Sequence, residues 1–254
     1  MMNVPKLPIS CVIIVKNEEN HIVECLRSAS FAEEILVMDS GSTDRTCELA
    51  AAEGARVVHQ EWLGFGPQKA KVTGQAQFDW VLNIDADERI SEELAAEIIS
   101  RWPTLDPRAG YLIPRKSFYL GRWIFHGGWY PDYQLRLYHR KHSQWDSAPI
   151  HEKVKSPFKE KLIYPLEHYV FKDLHHQIET NNRYSTLQAQ ELHRRGIRFR
   201  YLYLFFKPWT KFFECYVWKR GFLDGLPGLI IAVGAAYSVF LKWTKLWEIQ
   251  REFR

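Results

Sequence analysis

Apolar and polar positions along the first hundred residues switch between the period of a strand and the period of a helix. Ile9-Ser-Cys-Val-Ile-Ile-Val15 is a nearly unbroken β-branched run, the pattern of a strand covered on both faces of a parallel sheet. It breaks at Lys16-Asn-Glu-Glu-Asn20 and passes into a helical pattern that runs to Leu26. Glu34-Ile-Leu-Val-Met38, Arg56-Val-Val-His59 and Trp80-Val-Leu-Asn-Ile84 predict three more strands. Helices are expected between them over 45–53, with Ser42 as cap and Gly54 closing it, and over 69–76. Ser91, with Glu92 and Glu93 in the first turn, predicts a helix that stops before Pro103. From about residue 110 the pattern loosens. Tyr111-Leu-Ile113 and Gln134-Leu-Arg-Leu-Tyr138 read as strands, and a helix over 173–195 leads into an aromatic tail. Strands alternating with short helices predict an α/β fold with a mostly parallel sheet.

Composition narrows the class. The 254 residues are 46% hydrophobic and 25% charged, which excludes a disordered or low-complexity chain. The four cysteines form no CxxC pair, which argues against a disulfide scaffold and a zinc ribbon and fits a reducing compartment. Residues 1–10 lack a basic stretch followed by an apolar core, so no cleaved export signal is expected. The net charge of +4 hides an asymmetry: residues 191–254 hold 12 of the 34 Lys and Arg but only 5 of the 30 Asp and Glu. The same stretch holds 16 of the 37 aromatic residues. A basic, aromatic terminus suits a membrane surface better than nucleic acid, and no nucleic-acid partner is expected. Residues 225–241 carry no charge, but 17 residues lie at the short limit for a spanning helix. A buried core helix is the alternative.

Sheets of this kind bind ligands beyond the carboxyl ends of their strands. Three predicted strands end in polar loops, at Asn17-Glu18, at Asp39-Ser40 and at Asp85-Ala-Asp87. Two carboxylates one residue apart can face one divalent cation, Mg²⁺ or Mn²⁺, together with a substrate's phosphates. A lone DxD is more often a polar turn that caps the next helix. Asp39-Ser-Gly-Ser-Thr-Asp44 can cradle polar ligand groups or serve as a plain loop. In Gly127-Gly-Trp-Tyr-Pro-Asp132, Trp129 and Tyr130 offer faces for a sugar, and Asp132 can act as general base; the bland alternative pairs Asp132 with Arg136. His151 can complete a metal site or be an ordinary surface histidine, and His168, His175 and His176 show no metal spacing.

These pieces together resemble family 2 glycosyltransferases of the GT-A fold over residues 8–170. The likeness is carried by Val12-Ile-Ile-Val-Lys-Asn-Glu18, Asp39-Ser-Gly-Ser-Thr-Asp44, Gly66-Pro-Gln-Lys69 and Asn83-Ile-Asp-Ala-Asp87. Asp85-Ala-Asp-Glu-Arg-Ile90, His126-Gly-Gly-Trp-Tyr-Pro-Asp132, His151-Glu152 and Gly221-Phe-Leu-Asp-Gly225 are similar to the lipopolysaccharide inner-core glucosyltransferases, which attach glucose to a core heptose. The resemblance implies an inverting, cation-dependent enzyme using a UDP-sugar donor and a lipid-linked saccharide acceptor. Lys16, Glu18 and Asp39 would then lie at the uridine end, with Lys69 near the nucleotide and Asp85 at the ribose or metal. Asp87 would bind the cation, His151 would be a further ligand, and Asp132 would be the base. Many relatives carry Thr-Tyr or Ser-Tyr before the Asn-Glu; Val15-Lys16 stand there here, so a base-stacking tyrosine is missing.

The expected organisation is a GT-A domain over 1–195 and a helical membrane-associating tail over 196–254, held at the cytoplasmic face of the inner membrane. Two other readings compete. A sugar nucleotidyltransferase would call for a glycine-rich basic loop after the first strand, where Lys16-Asn-Glu-Glu19 is acidic. A catalytically silent sugar-binding scaffold would have no use for Asp85, Asp87 and Asp132 together.

Overall fold

The structure, a computed structural model, describes residues 5–146 and 153–252. In chain order its strands and α-helices are β1 (Leu7–Val15), α1 (Ile22–Ser28), β2 (Ala32–Asp39), α2 (Thr46–Ala52), β3 (Arg56–His59), α3 (Phe65–Gly74), β4 (Trp80–Asp85), β5 (Glu88–Ile90) and α4 (Glu92–Arg101). These are followed by β6 (Ala109–Tyr119), β7 (Arg122–Ile124), β8 (Asp132–His139), β9 (Gln144–Trp145), β10 (Val154–Lys155), β11 (Phe158–Lys161), β12 (Leu166–His168), α5 (Leu174–Arg194), α6 (Tyr201–Phe213) and α7 (Gly225–Glu252). The chain divides into two compact units. One comprises Met1–Arg115 and Asp132–His168, the other Lys116–Pro131 and Tyr169–Arg254.

In the first unit β3, β2, β1 and β4 are parallel neighbours, and β8 and β6 then join antiparallel. β12 pairs antiparallel with β5, β11 runs parallel to β6, and β9 with β10 forms a separate small ladder. The sheet is therefore mixed, with its parallel half confined to the first four strands. The unbroken apolar run of β1 has a direct cause. Ile9, Cys11, Ile13 and Val15 pack with Ile22 and Leu26 of α1 and Leu94 and Ile98 of α4, while Val12 packs on the other face with Val72 of α3. Each such side chain, fully buried, contributes roughly 1.5–3 kcal/mol.

Several local expectations hold: Ser91 caps α4 by accepting from Leu94 N at 3.2 Å, Gly54 ends α2 at φ +83°, and the helix expected over 173–195 is α5, which the structure shows capped by Asp173. Two differ. Ser42 does not cap α2, because its Oγ accepts from Asn17 N instead. Helix α3 starts at Phe65 and not at 69, and Pro67 is accommodated because the first turn leaves its N–H groups unbonded in any case.

The second unit takes in α5 and residues 116–131 as well as the tail. Helix α5 packs along α7, where Ala189, Trp243 and Leu246 are buried, and Lys245 Nζ donates to Asn182 O, Ser185 Oγ and Thr186 Oγ1 at 2.7–2.9 Å. A Cβ on Gly228 would meet Gly221 O at 1.9 Å, so the start of α7 closes on the preceding turn only with glycine there. Asp224, 1% exposed in that turn, accepts from His126 N at 2.8 Å and Phe125 N at 3.3 Å, and faces His126 Nδ1 at 3.1 Å. Asp224→Ala would leave these amides unsatisfied. It should lower stability by about 1–3 kcal/mol in urea unfolding, and an unchanged midpoint would show that the turn does not depend on the carboxylate.

Candidate active site

The loops after β1 and β2 are stitched together by backbone-to-side-chain bonds. Asn17, in the left-handed region at φ +58°, accepts from Thr43 N at 2.8 Å, and Glu18 N donates to Thr46 Oγ1 at 2.8 Å. Glu19 N reaches Asp44 Oδ2 at 3.2 Å. Asp39 ends β2, buried, and accepts from Gly41 N at 2.9 Å and Ser42 N at 3.1 Å. Burial pushes its pKa up, but the bonds from Ser42, Gly41 and His59 outweigh that and lower it. Asp39 is thus an ionised carboxylate that shapes its own loop. Lys16 is exposed at the end of β1, and Glu18 is half-buried beside it.

A chain of alternating charges begins where β4 ends. Asp85 Oδ1 meets Lys69 Nζ of α3 at 2.8 Å, and its Oδ2 meets Arg136 Nη2 of β8 at 2.6 Å. Arg136 also binds Glu88 Oε1 at 2.5 Å, and Glu88 Oε2 accepts from Asp85 N at 2.9 Å. Glu88 Oε1 lies 3.4 Å from Arg115 Nη1 on β6. Arg115 in turn grips Asp132 Oδ2 through Nη2 at 2.6 Å and Nε at 3.0 Å, and Gln134 Nε2 donates to Asp132 Oδ1 at 2.8 Å. Arg115 and Asp132 are direct partners across the β6–β8 ladder. Arg136 is therefore committed to Asp85 and Glu88, and the partner of Asp132 is Arg115.

A fault in the ladder aims Arg136. Tyr111 pairs with Leu137 and Leu112 with Leu135, so Arg136 has no opposite number on β6 and forms a bulge. Burial works against both charges here but loses. Arg136 and Lys69 hold Asp85 well below the usual carboxylate range, and Asp85 with Glu88 raises the Arg136 pKa.

Asp87 stands apart from the chain. Its Oδ2 lies 3.3 Å from His168 Nε2, and no described Lys or Arg pairs with it. His151 lies outside the described residues. Among the described residues no three His, Cys, Asp or Glu side chains converge into a metal cage. Trp129 and Tyr130 belong to the second unit. Trp129 packs against Tyr119 and Phe171, with centroids 5.4 and 6.2 Å away, and Tyr130 meets Phe125 edge-on. Reading the sequence missed Arg115, Arg136, Glu88 and His168 as members of the site. The even spacing of Asp132, Gln134 and Arg136 along a strand was the available signal.

The family profile for Glycosyl transferase family 2 matches residues 10–158, more than half of the chain. The chain belongs to glycosyltransferase family 2. Its fold is GT-A, a mixed central sheet flanked by helices with a long apolar C-terminal helix. This family 2 glycosyltransferase is 31% identical over 96% of its length to the lipopolysaccharide core biosynthesis glycosyltransferase LpsC of Rhizobium meliloti, covering 94% of that protein. An uncharacterized glycosyltransferase of Rickettsia typhi is 30% identical over 97% of this chain and 89% of its own. Among solved structures, glucosyl-3-phosphoglycerate synthase from Mycobacterium tuberculosis, in complex with Mn²⁺, UDP and glucosyl-3-phosphoglycerate, matches 44% of each chain at 31% identity, with a TM-score of only 0.35. Membership in a glycosyltransferase family sets aside the nucleotidyltransferase reading.

Two outcomes follow from the charge chain. Arg136→Met would leave Glu88, 0% exposed, without its nearest cation, and should cost about 3–5 kcal/mol in chemical denaturation. A loss within experimental error would show that the network carries no structural weight. Because the folded-state pKa of Asp85 is depressed, its contribution is complete above about pH 5, where the unfolded carboxyl is also ionised. It is lost as pH falls through the folded value. Unfolding midpoints measured from neutral pH downward should thus fall less steeply in Asp85→Asn than in the wild type, and parallel slopes would contradict the assignment.

Proposed function

We propose that this glycosyltransferase moves a sugar, with glucose expected, from a UDP-sugar to the heptose region of a lipopolysaccharide core glycolipid, with inversion at the anomeric carbon. One observation carries the reading: Asp132 is tied through Arg115, Glu88 and Arg136 to Asp85, so the base and the acidic strand end sit on one rigid set of strands. The likeness to LpsC, a lipopolysaccharide core biosynthesis enzyme, supports the class of acceptor.

In this reading Lys16, Glu18 and Asp39 bind the uridine end, the last through the loop it shapes, and Lys69 with Asp85 lines the path of the nucleotide. Asp87 fits a divalent cation, Mg²⁺ or Mn²⁺: it offers a partly exposed carboxylate unclaimed by any described Lys or Arg, with an imidazole at 3.3 Å. With so few protein ligands, the donor's phosphates would complete the shell, as Mg²⁺ sites commonly require, and His151 is proposed as a further ligand. Such a cation neutralises the charge that develops on the departing UDP.

Asp132 does the proton chemistry. The acceptor oxygen forms its bond to the anomeric carbon while the bond to the UDP phosphate oxygen breaks, and Asp132 takes the hydroxyl proton. Arg115 fixes one carboxylate oxygen from the back, which holds the plane of the group and keeps the other oxygen available beside Gln134. Trp129 and Tyr130 are proposed acceptor contacts. For Trp129 this role is limited to whatever edge its packing on Tyr119 and Phe171 leaves open.

The tail is proposed to hold the enzyme on the cytoplasmic face of the inner membrane, lying on the bilayer. Residues Gly221–Arg251 are long and apolar enough to span, with a mean hydropathy of 1.6 over an 18-residue window of which 22% is buried. Helix α5 argues against spanning. It packs along α7 and exposes Glu179, Arg183 and Arg194, which a spanning α7 would drag into hydrocarbon. Helix α6 instead exposes Tyr201, Leu202, Phe205, Phe206 and Trp209 at 63–69%, the surface of a helix lying in the headgroup layer.

Transfer from a panel of UDP-sugars to a truncated core glycolipid tests the reaction. Asp132→Asn should keep UDP-sugar affinity and lose at least about 100-fold in rate. If affinity collapses while the chemical step survives, Asp132 is a donor-binding residue. Asp87→Ala should abolish transfer and remove the dependence of UDP binding on Mn²⁺ in calorimetry; near-normal turnover would sink the cation assignment. The full-length protein should sediment with membranes and be released only in part by high salt.

A further inference from the structure

Helix α3 and strand β9 meet over a small polar cluster in an apolar setting. Trp145 Nε1 donates to Tyr138 Oη at 2.9 Å and to Thr73 Oγ1 at 3.2 Å, and the two oxygens lie 2.9 Å apart. Thr73 Oγ1 also lies 2.8 Å from Lys69 O, which only accepts, so its one hydrogen goes there and Tyr138 donates to Thr73. Burial pushes the Tyr138 pKa up to about 12, and the phenol keeps its proton. Val72, Ala76, Val81 and Val154 are buried in the same hydrophobic cluster, against which Trp145 packs. An indole has a single donor, and with two acceptors here its ring is held in one orientation.

The held ring faces Lys69. Its centroid is 5.8 Å from Lys69 Nζ, within cation–π range, and the ammonium meets Asp85 Oδ1 at 2.8 Å. Lys69 lies one turn before Thr73 on the same face of α3, so the cluster fixes both the ring and the backbone that carries the lysine. The Lys69 side chain is only 9% exposed, yet an ammonium has three donors, and among the described residues Asp85 is the one carboxylate paired with it. Spare donors on a cation turned from water and held from two sides suit the oxygens of a phosphate.

We propose that Trp145 is a positioning residue for the nucleotide sugar: its indole face, locked by Tyr138 and Thr73, holds the Lys69 ammonium beside Asp85 for the donor's diphosphate. The proposal rests on the reading that Lys69 and Asp85 line the path of the nucleotide, and it adds the element that holds the lysine there. Trp145 acts through Lys69 and not by touching the donor. The uridine end, assigned to Lys16, Glu18 and Asp39, does not depend on Lys69. Loss of the ring therefore weakens ligands that carry the diphosphate and leaves the nucleoside alone.

Calorimetric titration of the full-length protein with uridine and with UDP, in the presence of Mn²⁺, tests it. Trp145→Leu should weaken UDP about tenfold, the scale of a partly desolvated cation–π contact, and leave uridine within about twofold. Trp145→Phe, which keeps an aromatic face and loses the donor, should stay within about threefold of the wild type for UDP. In a Lys69→Gln background, Trp145→Leu should cost UDP nothing further. Tyr138→Phe removes one acceptor of the indole and keeps the packing. It should weaken UDP selectively by about threefold, and it carries the test should Trp145→Leu fold poorly. Equal losses for uridine and UDP, no recovery in Trp145→Phe, or a further loss in the Lys69→Gln background would overturn the role of Trp145. A wild type that binds no UDP, or Lys69→Gln binding it as tightly as the wild type, would instead overturn the reading on which the proposal rests.

Discussion

The alternation of charge from Lys69 through Asp85, Arg136, Glu88 and Arg115 to Asp132 is the interaction on which the first unit depends. Each interior member touches two opposite charges, so no single ion bears its desolvation cost alone. The members come from α3, β4, β5, β6 and β8, elements that are far apart in sequence. Glu88 is the keystone. It is fully buried, and it binds two arginines from adjacent strands as well as the amide of Asp85. Moving any one strand along its axis would break pairs on both sides. The chain therefore fixes the relative heights of the strands that carry the acidic residues.

The second unit follows a different logic. Its helices carry apolar groups on more than one side, and only part of that surface is covered within the fold. Helix α7 meets the polar helix α5 along one flank and the aromatic helix α6 along another. The outer surface of α5 is polar and charged, and that of α6 is aromatic. The buried Asp224 and the contact of Gly228 with Gly221 keep the turn before α7 tight, and that turn receives the amides of Phe125 and His126. Tail and glycine-rich loop are thus one packed body, although a hundred residues separate them in sequence.

Much of the fold was legible in the sequence because it rests on local patterns. The β1 to β4 runs, the Ser91 cap, the helix that begins at about Asp173 and the turn at Gly54 each depend on a few neighbouring residues, and each appears where expected. The register of β6 on β8 is non-local, and no periodicity announces it. Ser42 was misplaced for the same reason: its hydroxyl satisfies an amide 25 residues away in preference to the helix beside it. Within the site, the acidic residues stood out as motifs, whereas the arginines that hold them looked like ordinary strand residues. Arg115 and Arg136 acquire their meaning only when β6 and β8 lie side by side. His168 was passed over for want of a metal spacing, yet β12 delivers it to Asp87 through its pairing with β5.

The bulge at Arg136 has a consequence for how β8 tolerates change. An extra residue in one strand resets the in-and-out phase of everything on one side of it relative to the other. Leu137 and Tyr138 beyond it are locked into the two hydrophobic cores, so their phase cannot drift. Deleting Arg136 would leave a regular ladder in which Leu135 and Leu137 keep their opposite faces and Asp132 stays across from Arg115, while Asp85 and Glu88 would lose the cation they share. The extra residue thus inserts one cation between Asp85 and Glu88 without shifting the pairing of the strand on either side of it.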